Sequence, residues 1–173
     1  MTKEKQLEES IFIESNLTDE EKFLELGKQL KSLLKREDHL LSSLANFTAA
    51  LKQSFDKISW VGFYFLEKDI LYLGPFQGKV ACSQIQVGKG VCGTSVEKKE
   101  TIIVPDVNKF PGHIACDANS RSEIVVPVIH NKKIFGVLDL DSNSYNAFNE
   151  TDKKYLEGLV NFLSSEILLN IKE

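Results

Sequence analysis

The chain has 173 residues, a formal net charge of −4 and 42% hydrophobic residues, which is ordinary for a globular protein. A chain of this length fits one domain and buries about 70% of its unfolded surface, so its core needs no disulfide framework. The negative charge argues against nucleic acid as the main partner, because phosphate contacts need clustered Lys and Arg. No apolar run approaches the ~20 residues of a membrane-spanning helix, and the charged N-terminus lacks the apolar core of a signal peptide. We therefore expect no membrane partner and a cytoplasmic location.

Two helices are predicted near the N-terminus. Residues 18–21 (TDEE) have the capping-box pattern, and the apolar spacing behind them predicts a helix to about Glu37. A second helix is predicted from about Asp38, with an apolar stripe formed by Leu40, Leu44, Phe47, Leu51 and Phe55. We assign residues 1–17 to an N-terminal segment and residues 18–173 to one domain.

The middle of the chain changes to the period of β-strands. The run ISWVGFYFL at residues 58–66 and the run at 70–76 predict a hairpin across residues 67–69. Residues 78–122 are then rich in Gly, Pro, Asn, Asp and Ser. A long irregular segment of this kind is typical of a functional region.

Two strands and a helix complete the predicted domain. The strands are residues 124–130 and 133–141, joined at Asn131 and Lys132 by a tight turn, and the helix begins after Asn149. This order predicts an α+β fold, with an antiparallel sheet and helices packed on one face.

Acidic residues gather at one end of the predicted C-terminal hairpin. Strand alternation places four side chains on one face: Phe135, Val137, Asp139 and Asp141. Glu123 opens the neighbouring strand, and pairing through the turn brings it close to both aspartates. A solvated strand end would explain the same residues. If the acids are enclosed instead, desolvation and like-charge proximity raise at least one pKa, and a carboxylic acid that stays protonated is a proton donor.

The three cysteines all lie in the irregular segment. In the cytoplasm they are expected to be catalytic, metal-binding or buried. Cys116 lies in polar, turn-forming sequence that fits burial poorly, and Cys92 begins a predicted short helix whose dipole would lower a thiol pKa. The alternative is a zinc site at Cys82, Cys92, His113 and Cys116. Because His113 and Cys116 form the one close pair among these residues, redox chemistry is favoured over zinc.

Trp60 and Tyr64 lie four residues apart on one face of the first predicted strand. Their spacing fits ordinary core aromatics. Beside a group of carboxylates, an aromatic wall also suits an alkylammonium ligand.

Five segments together carry a resemblance to a known family. They are GPFQGKVAC (74–82), GKGVCG (88–93), FPGHIACD (110–117), SEIVVP (122–127) and GVLDLD (136–141). In this combination the chain resembles the GAF-domain free methionine-(R)-sulfoxide reductases, from about Trp60 to the last helix. The resemblance implies a single GAF domain with a six-stranded antiparallel sheet and reduction of free L-methionine-(R)-sulfoxide. It implies no cofactor, and thioredoxin as the reductant.

The resemblance also implies roles for individual residues. Cys116 corresponds to the catalytic cysteine, and Cys92 and Cys82 to the two candidates for resolving it. The substrate-site acids are Glu123, Asp139 and Asp141, and the aromatic wall is Trp60 and Tyr64.

From these roles we form a hypothesis for the chemistry. Glu123 and Asp141, one of them protonated, hold the departing oxygen, and Asp139 binds the substrate ammonium. A GAF module that senses a ligand without turnover is the rival interpretation, because function depends on the site rather than the fold. The N-terminal helices are expected to offer a face for a homodimer.

Overall fold

The computed structural model describes residues 10–114 and 116–168. These residues form four α-helices: α1 (Asp19–Leu33), α2 (Leu40–Ser54), α3 (Gly90–Lys98) and α4 (Glu150–Phe162), the last continuing into a π-helical turn at Leu163–Ile167. They also form six strands: β1 (Trp60–Glu67), β2 (Ile70–Gln77), β3 (Gln84–Gln86), β4 (Ile102–Val104), β5 (Ser122–His130) and β6 (Lys133–Ser142).

The strands make one antiparallel sheet in the order β3-β2-β1-β6-β5-β4. The predicted α+β class and six-stranded antiparallel sheet are confirmed. Since β6 returns to pair with β1, the two long strands with the most aromatic and acidic sequence lie side by side at the centre of the sheet.

Side-chain caps fix where α1 begins, as predicted, but its end differs. The Thr18 hydroxyl accepts from the backbone N–H of Glu21, and the Glu21 carboxylate accepts from the backbone N–H of Thr18. The helix ends at Leu33, before the predicted end near Glu37, because Leu34 is extended (φ −88°, ψ 122°). The following turn is closed by the Asp38 carboxylate, which accepts from the backbone N–H of Lys35.

The described part of the N-terminal segment, residues 10–17, lies against α1. The Gln29 side chain exchanges two hydrogen bonds with the backbone of Phe12, at 2.8 and 2.7 Å, and Ile11 and Ile13 pack on the core. Residues 1–9 of that predicted segment, and the end of the last predicted helix beyond Leu168, lie outside the described residues.

Both faces of the sheet are covered. On one face, α1, α2 and α4 enclose the main core, which includes Phe23, Phe47 and Leu156. On the other face, α3 packs Val91 and Val96 against the apolar side chains of β1 and β6. The prediction that helices gather on one face therefore holds for α1, α2 and α4 but not for α3, because the central strands are apolar on both faces and each face needs a covering layer.

The turn between β5 and β6 is confirmed, and a bulge beyond it corrects one prediction. Asn131 and Lys132 both have positive φ (49° and 63°), as the preferred two-residue hairpin turn requires. The register then shifts between Val128 and Ile129, which leaves Phe135 as an extra residue on β6. Phe135 therefore packs on the main core, on the face under α1, α2 and α4. The prediction that it shares a face with the two aspartates is wrong.

Within the described ranges, none of the helices is long and apolar enough to cross a membrane.

We predict that Gly136→Ala destabilises the fold by at least about 2 kcal/mol. A Cβ atom at Gly136 would lie 2.1 Å from the backbone carbonyl oxygen of Tyr64 on β1, an atom held in the β1–β6 ladder. Urea unfolding monitored by circular dichroism measures the change.

Gly158→Ala in α4 is the matched control for this substitution. Among the described atoms a Cβ at Gly158 would meet nothing within 4 Å, so this variant should gain about 0.5–1 kcal/mol. Equal stability of Gly136→Ala and the wild type would contradict the close approach of the two strands.

Candidate active site

The candidate site is a cavity on the α3-covered face of the sheet, where β1 and β5 begin and β6 ends. Trp60 on β1 pairs with Asp141 on β6, and Asp141 pairs with Glu123 on β5. One aromatic and two acidic side chains therefore form a row across three strands. Asp139 lies two residues along β6, opposite Gly62, and points to the same face. The hairpin register thus brings the three acids together, as the sequence indicated.

Two of these acids, Glu123 and Asp139, are buried and Asp141 is partly buried, which excludes the alternative of a solvated strand end. Glu123 and Asp139 are each 6% exposed. Desolvation, with repulsion from neighbouring carboxylates, raises the pKa of both groups well above its ordinary value. Burial also raises the pKa of Asp141 to about 6, although the Ser120 hydroxyl, which donates to Asp141 Oδ1 at 2.5 Å, acts in the opposite direction. The cluster therefore holds protons near neutral pH.

Asp139 retains an unused acceptor. Its Oδ1 atom is buried without a hydrogen-bond partner in the part of the chain that the structure describes. Such an oxygen costs free energy unless something donates to it. Asp139 lines the cavity, so a ligand with N–H groups that reaches this carboxyl can supply the missing donor.

Two of the three cysteines form a disulfide at this cavity. Cys82, in the connection between β2 and β3, is joined to Cys116, in the loop before β5, with their Cα atoms 5.5 Å apart. Both residues are partly exposed. Because two of the four ligands suggested for zinc are bonded to each other, this arrangement does not support the zinc alternative.

Cys92, in α3, is free and buried beside the acids. The predicted short helix is present as α3, but the expected low thiol pKa is wrong. Burial raises the pKa of Cys92 well above its ordinary value, and the charges of Asp139 and Glu123 raise it further. Desolvation and two nearby carboxylates outweigh the dipole of this short helix.

The loop that carries Cys116 supplies two polar groups whose place the sequence did not reveal. His113 Nε2 lies 3.7 Å from Glu123 Oε2, and burial lowers the pKa of this imidazole. Ser120 bonds Asp141, as described above. Both residues lie within four positions of Cys116. This closeness in sequence was the one feature that could have indicated that they belong to the site.

Trp60 and Tyr64 form one wall of the cavity, with ring centroids 6.1 Å apart. Both also use their polar atoms. The indole Nε1–H donates to the carbonyl of Lys79, and the Tyr64 hydroxyl donates to the carbonyl of Cys82, each at 3.0 Å. The two rings are therefore core residues and cavity lining together.

One group of described residues has the atoms to hold a metal ion. The ligand atoms of Cys92, Glu123 and Asp139 lie within 4.8 Å of one another, all buried. The raised pKa values of all three groups mean that a metal would have to displace protons there.

Comparisons with known proteins give one fold family, and several of the relatives carry the name of one enzyme. The family described as GAF domain matches residues 36–167. The free methionine-R-sulfoxide reductase of Escherichia coli K12 is 46% identical over 138 residues, covering 80% of this chain and 84% of its own. The enzyme of that name from Saccharomyces cerevisiae is 46% identical over 158 residues, covering 87% and 88%. The free methionine-R-sulfoxide reductase of Neisseria meningitidis in complex with its substrate superposes with a TM-score of 0.85 at 41% identity, covering 89% and 93% of the two chains.

We predict that Asp141→Asn stabilises the oxidised protein at pH 7.5 and not at pH 3.5. The pKa of Asp141 is raised from 3.8 to about 6 in the folded state, so folding binds its proton more tightly. The carboxyl therefore costs stability as pH rises from about 4 to 6, and the full cost, on the order of 1–3 kcal/mol, applies above pH 6. Urea unfolding at both pH values measures the difference.

Glu25→Gln in α1 provides a control of opposite sign. The Gln29 side-chain amide donates to Glu25 Oε1 and lowers the pKa of that carboxyl, so its replacement gives no gain at pH 7.5. A gain from Asp141→Asn that is equal at both pH values would show that it does not arise from titration.

Proposed function

Because the chain belongs to the GAF-domain family of free methionine-(R)-sulfoxide reductases, we propose that it reduces free L-methionine-(R)-sulfoxide to L-methionine. The observation that carries the proposal is a disulfide, Cys82–Cys116, at the same cavity as the three acids. Sulfoxide reduction needs a thiol to take the oxygen and an acid to protonate it, and this cavity offers both.

In the first step the Cys116 thiolate attacks the sulfoxide sulfur. The oxygen is transferred to Cys116, which becomes a sulfenic acid, and methionine leaves with the two electrons that the cysteine sulfur has lost. We assign Glu123 and Asp141, of which one is protonated, to hold the oxygen and give it the proton. Their raised pKa values support this role, because an ordinary carboxylate would be ionised at neutral pH.

In the second step Cys82 resolves the sulfenic acid, and Cys92 does not. Cys82 is already bonded to Cys116, whereas Cys92 is buried with a raised pKa and contacts the carboxyl group of Asp139. Water leaves as the disulfide forms. Thioredoxin, a strong dithiol reductant, then restores both thiols.

The site is suited to the free amino acid. Asp139 Oδ1, the buried acceptor with no partner among the described residues, is assigned to the substrate ammonium. Trp60 is assigned to the S-methyl group, where a rigid ring helps to distinguish the two sulfoxide epimers. A methionine sulfoxide inside a peptide lacks the ammonium charge and is expected to be excluded.

Three further assignments complete the proposal. The enzyme acts in the cytoplasm, because cysteines that cycle between thiol and disulfide suit a reducing compartment. Residues 18–173 form its single domain after an N-terminal segment. It forms a homodimer through its N-terminal helices, on which Leu24 and Leu41 are 50% and 52% exposed.

The decisive experiment measures NADPH oxidation with thioredoxin and thioredoxin reductase. Free L-methionine-(R)-sulfoxide, its (S) epimer and an N-acetylated (R) analogue are supplied in parallel, and methionine formation is measured separately with dithiothreitol. Turnover with the free (R) form alone supports the proposal. Activity with dithiothreitol but not with thioredoxin would remove only the assigned reductant. Silence in every arm, from folded and reduced protein, would favour a ligand-sensing module.

We predict that Glu123→Gln and Asp141→Asn each lower the rate of methionine formation about 10²-fold or more, because each removes a carboxyl group assigned to the departing oxygen. Single-turnover assays with dithiothreitol-reduced protein measure this rate, and circular dichroism checks the fold. Wild-type rates in both variants would refute the acid-donor role.

We predict a clear difference between the two remaining cysteines. Cys82→Ser releases one equivalent of methionine and then stops with thioredoxin, because no disulfide forms for thioredoxin to reduce. Cys92→Ser still forms the disulfide, which mass spectrometry after substrate addition detects. Thioredoxin-supported turnover by Cys82→Ser at the wild-type rate would assign resolution to another thiol.

A further inference from the structure

We propose that Trp60 and Tyr64 hold Cys82 in the position from which it attacks oxidised Cys116, in addition to lining the cavity. This positioning role rests on the proposed function, since it concerns the resolving step of that reaction. The two aromatic residues would thus affect the rate at which Cys82 forms the disulfide with Cys116.

The segment that carries Cys82 lies outside the regular sheet ladder. Strand β2 ends at Gln77 and β3 begins at Gln84. A backbone hydrogen bond from the Leu73 N–H to the Ser83 carbonyl, at 3.0 Å, continues the β2–β3 pairing by one residue, so residues 78–82 follow no strand register. Two side chains from β1 reach this segment instead. Trp60 donates to the carbonyl of Lys79 and Tyr64 to the carbonyl of Cys82, both at 3.0 Å.

The two anchors are buried and rigid. Trp60 is 5% exposed and Tyr64 is 1% exposed, and both belong to the central strand β1, which is paired on both sides. Burial raises the pKa of the Tyr64 hydroxyl, so it remains a hydrogen-bond donor at every physiological pH.

The backbone lies directly on the indole at the start of this segment. Gly78 has φ of +132°, and a Cβ atom there would lie 2.5 Å from Trp60 Cδ1. Contact at Gly78 and hydrogen bonds at Lys79 and Cys82 therefore fix the segment at both ends.

Disulfide formation makes this fixation important. Two cysteines bond when their Cα atoms are about 4.4–6.8 Å apart, and here the distance from Cys82 to Cys116 is 5.5 Å. A displacement of Cys82 by an ångström or two would move it out of that range. An ion pair also joins the Cys82 segment to the Cys116 loop, from Lys79 Nζ to Asp117 Oδ2 at 3.4 Å. Because that lysine side chain is 63% exposed, solvent screening weakens the pair.

The step on which the anchors act is the attack of the Cys82 thiolate on the sulfenic sulfur of Cys116. The S–S bond forms, the S–O bond breaks, and the departing hydroxide takes a proton and leaves as water. No further oxidant is needed to form the disulfide, because Cys116 was already oxidised by two electrons when it took the substrate oxygen.

The test measures how the sulfenic acid divides between two fates. Reduced protein receives one equivalent of free L-methionine-(R)-sulfoxide in the presence of increasing dimedone, which traps sulfenic acids as a stable thioether. Mass spectrometry gives the ratio of dimedone adduct on Cys116 to Cys82–Cys116 disulfide. This ratio compares the rate of trapping by dimedone with the rate of the resolving step and does not depend on how fast the sulfenic acid forms, so a change in substrate binding at the aromatic wall cancels. The trapping rate of each variant is measured in a Cys82→Ser background, in which the disulfide with Cys116 cannot form.

For Tyr64→Phe we expect the dimedone concentration that gives equal products to fall about three- to tenfold, the effect of losing one hydrogen bond. Tyr155→Phe is the matched control, because it also removes a hydroxyl that donates to an acceptor, the Glu20 carboxylate, far from the cavity. Tyr155→Phe should give the same ratio of dimedone adduct to disulfide as the wild type. Trp60→Phe removes the Nε1–H donor and part of the ring. It should also lower the dimedone concentration that gives equal amounts of the two products, and it replaces Tyr64→Phe if that variant does not fold.

An unchanged ratio in Tyr64→Phe or in Trp60→Phe would overturn the proposal, as would an equal shift in Tyr155→Phe. If the wild type forms neither methionine nor adduct, the proposed function fails instead, and the two failures are thereby distinguished.

Discussion

Three carboxyl groups gathered on one face of a β-sheet, two of them buried and one partly buried, are the constraint from which the rest of the site follows. The β5–β6 register sets Glu123 directly opposite Asp141, and alternation along β6 adds Asp139 to the same face. Water is largely removed from them, so protonation or a bound cation must offset the cost of their charge. The structure meets part of this cost with a hydroxyl from Ser120, while one oxygen of Asp139 has no hydrogen-bond partner among the described residues.

The two faces of the sheet divide structure from chemistry. The face under α1, α2 and α4 is a continuous apolar core that fixes the strands, while the face under α3 holds the three acids together with Trp60 and Tyr64. Acids and aromatics come from β1, β5 and β6, whereas both bonded cysteines come from connecting segments. This arrangement places the acids and the two aromatic residues on rigid strands and the bonded cysteines on partly exposed loops, where the proposed function needs them to meet each other and a protein reductant.

Local patterns predicted most of this architecture. Strand alternation and a two-residue turn were sufficient to bring Glu123 to the aspartates, because both depend on short-range backbone geometry. The bulge at Phe135 was not predictable, since it arises from strand pairing rather than from any residue preference. The pKa of Cys92 was missed for a similar reason: its position at a helix start is local, but burial among carboxylates comes from tertiary packing. Tertiary packing also brings His113 to Glu123, which no spacing in the sequence indicates.

The Cys82–Cys116 bond spans 34 residues, including all of β3, α3 and β4. Closing a loop of that length removes chain entropy from the unfolded state worth about 4 kcal/mol, a large fraction of the stability of a small domain. The oxidised and reduced proteins therefore differ in resistance to heat and proteolysis as well as in chemistry. In the proposed cycle, the molecule that has just been oxidised is therefore the more durable form, and the reductant that restores its thiols also makes it easier to degrade. The proposed cycle thus couples the lifetime of the protein in a cell to how often it is used.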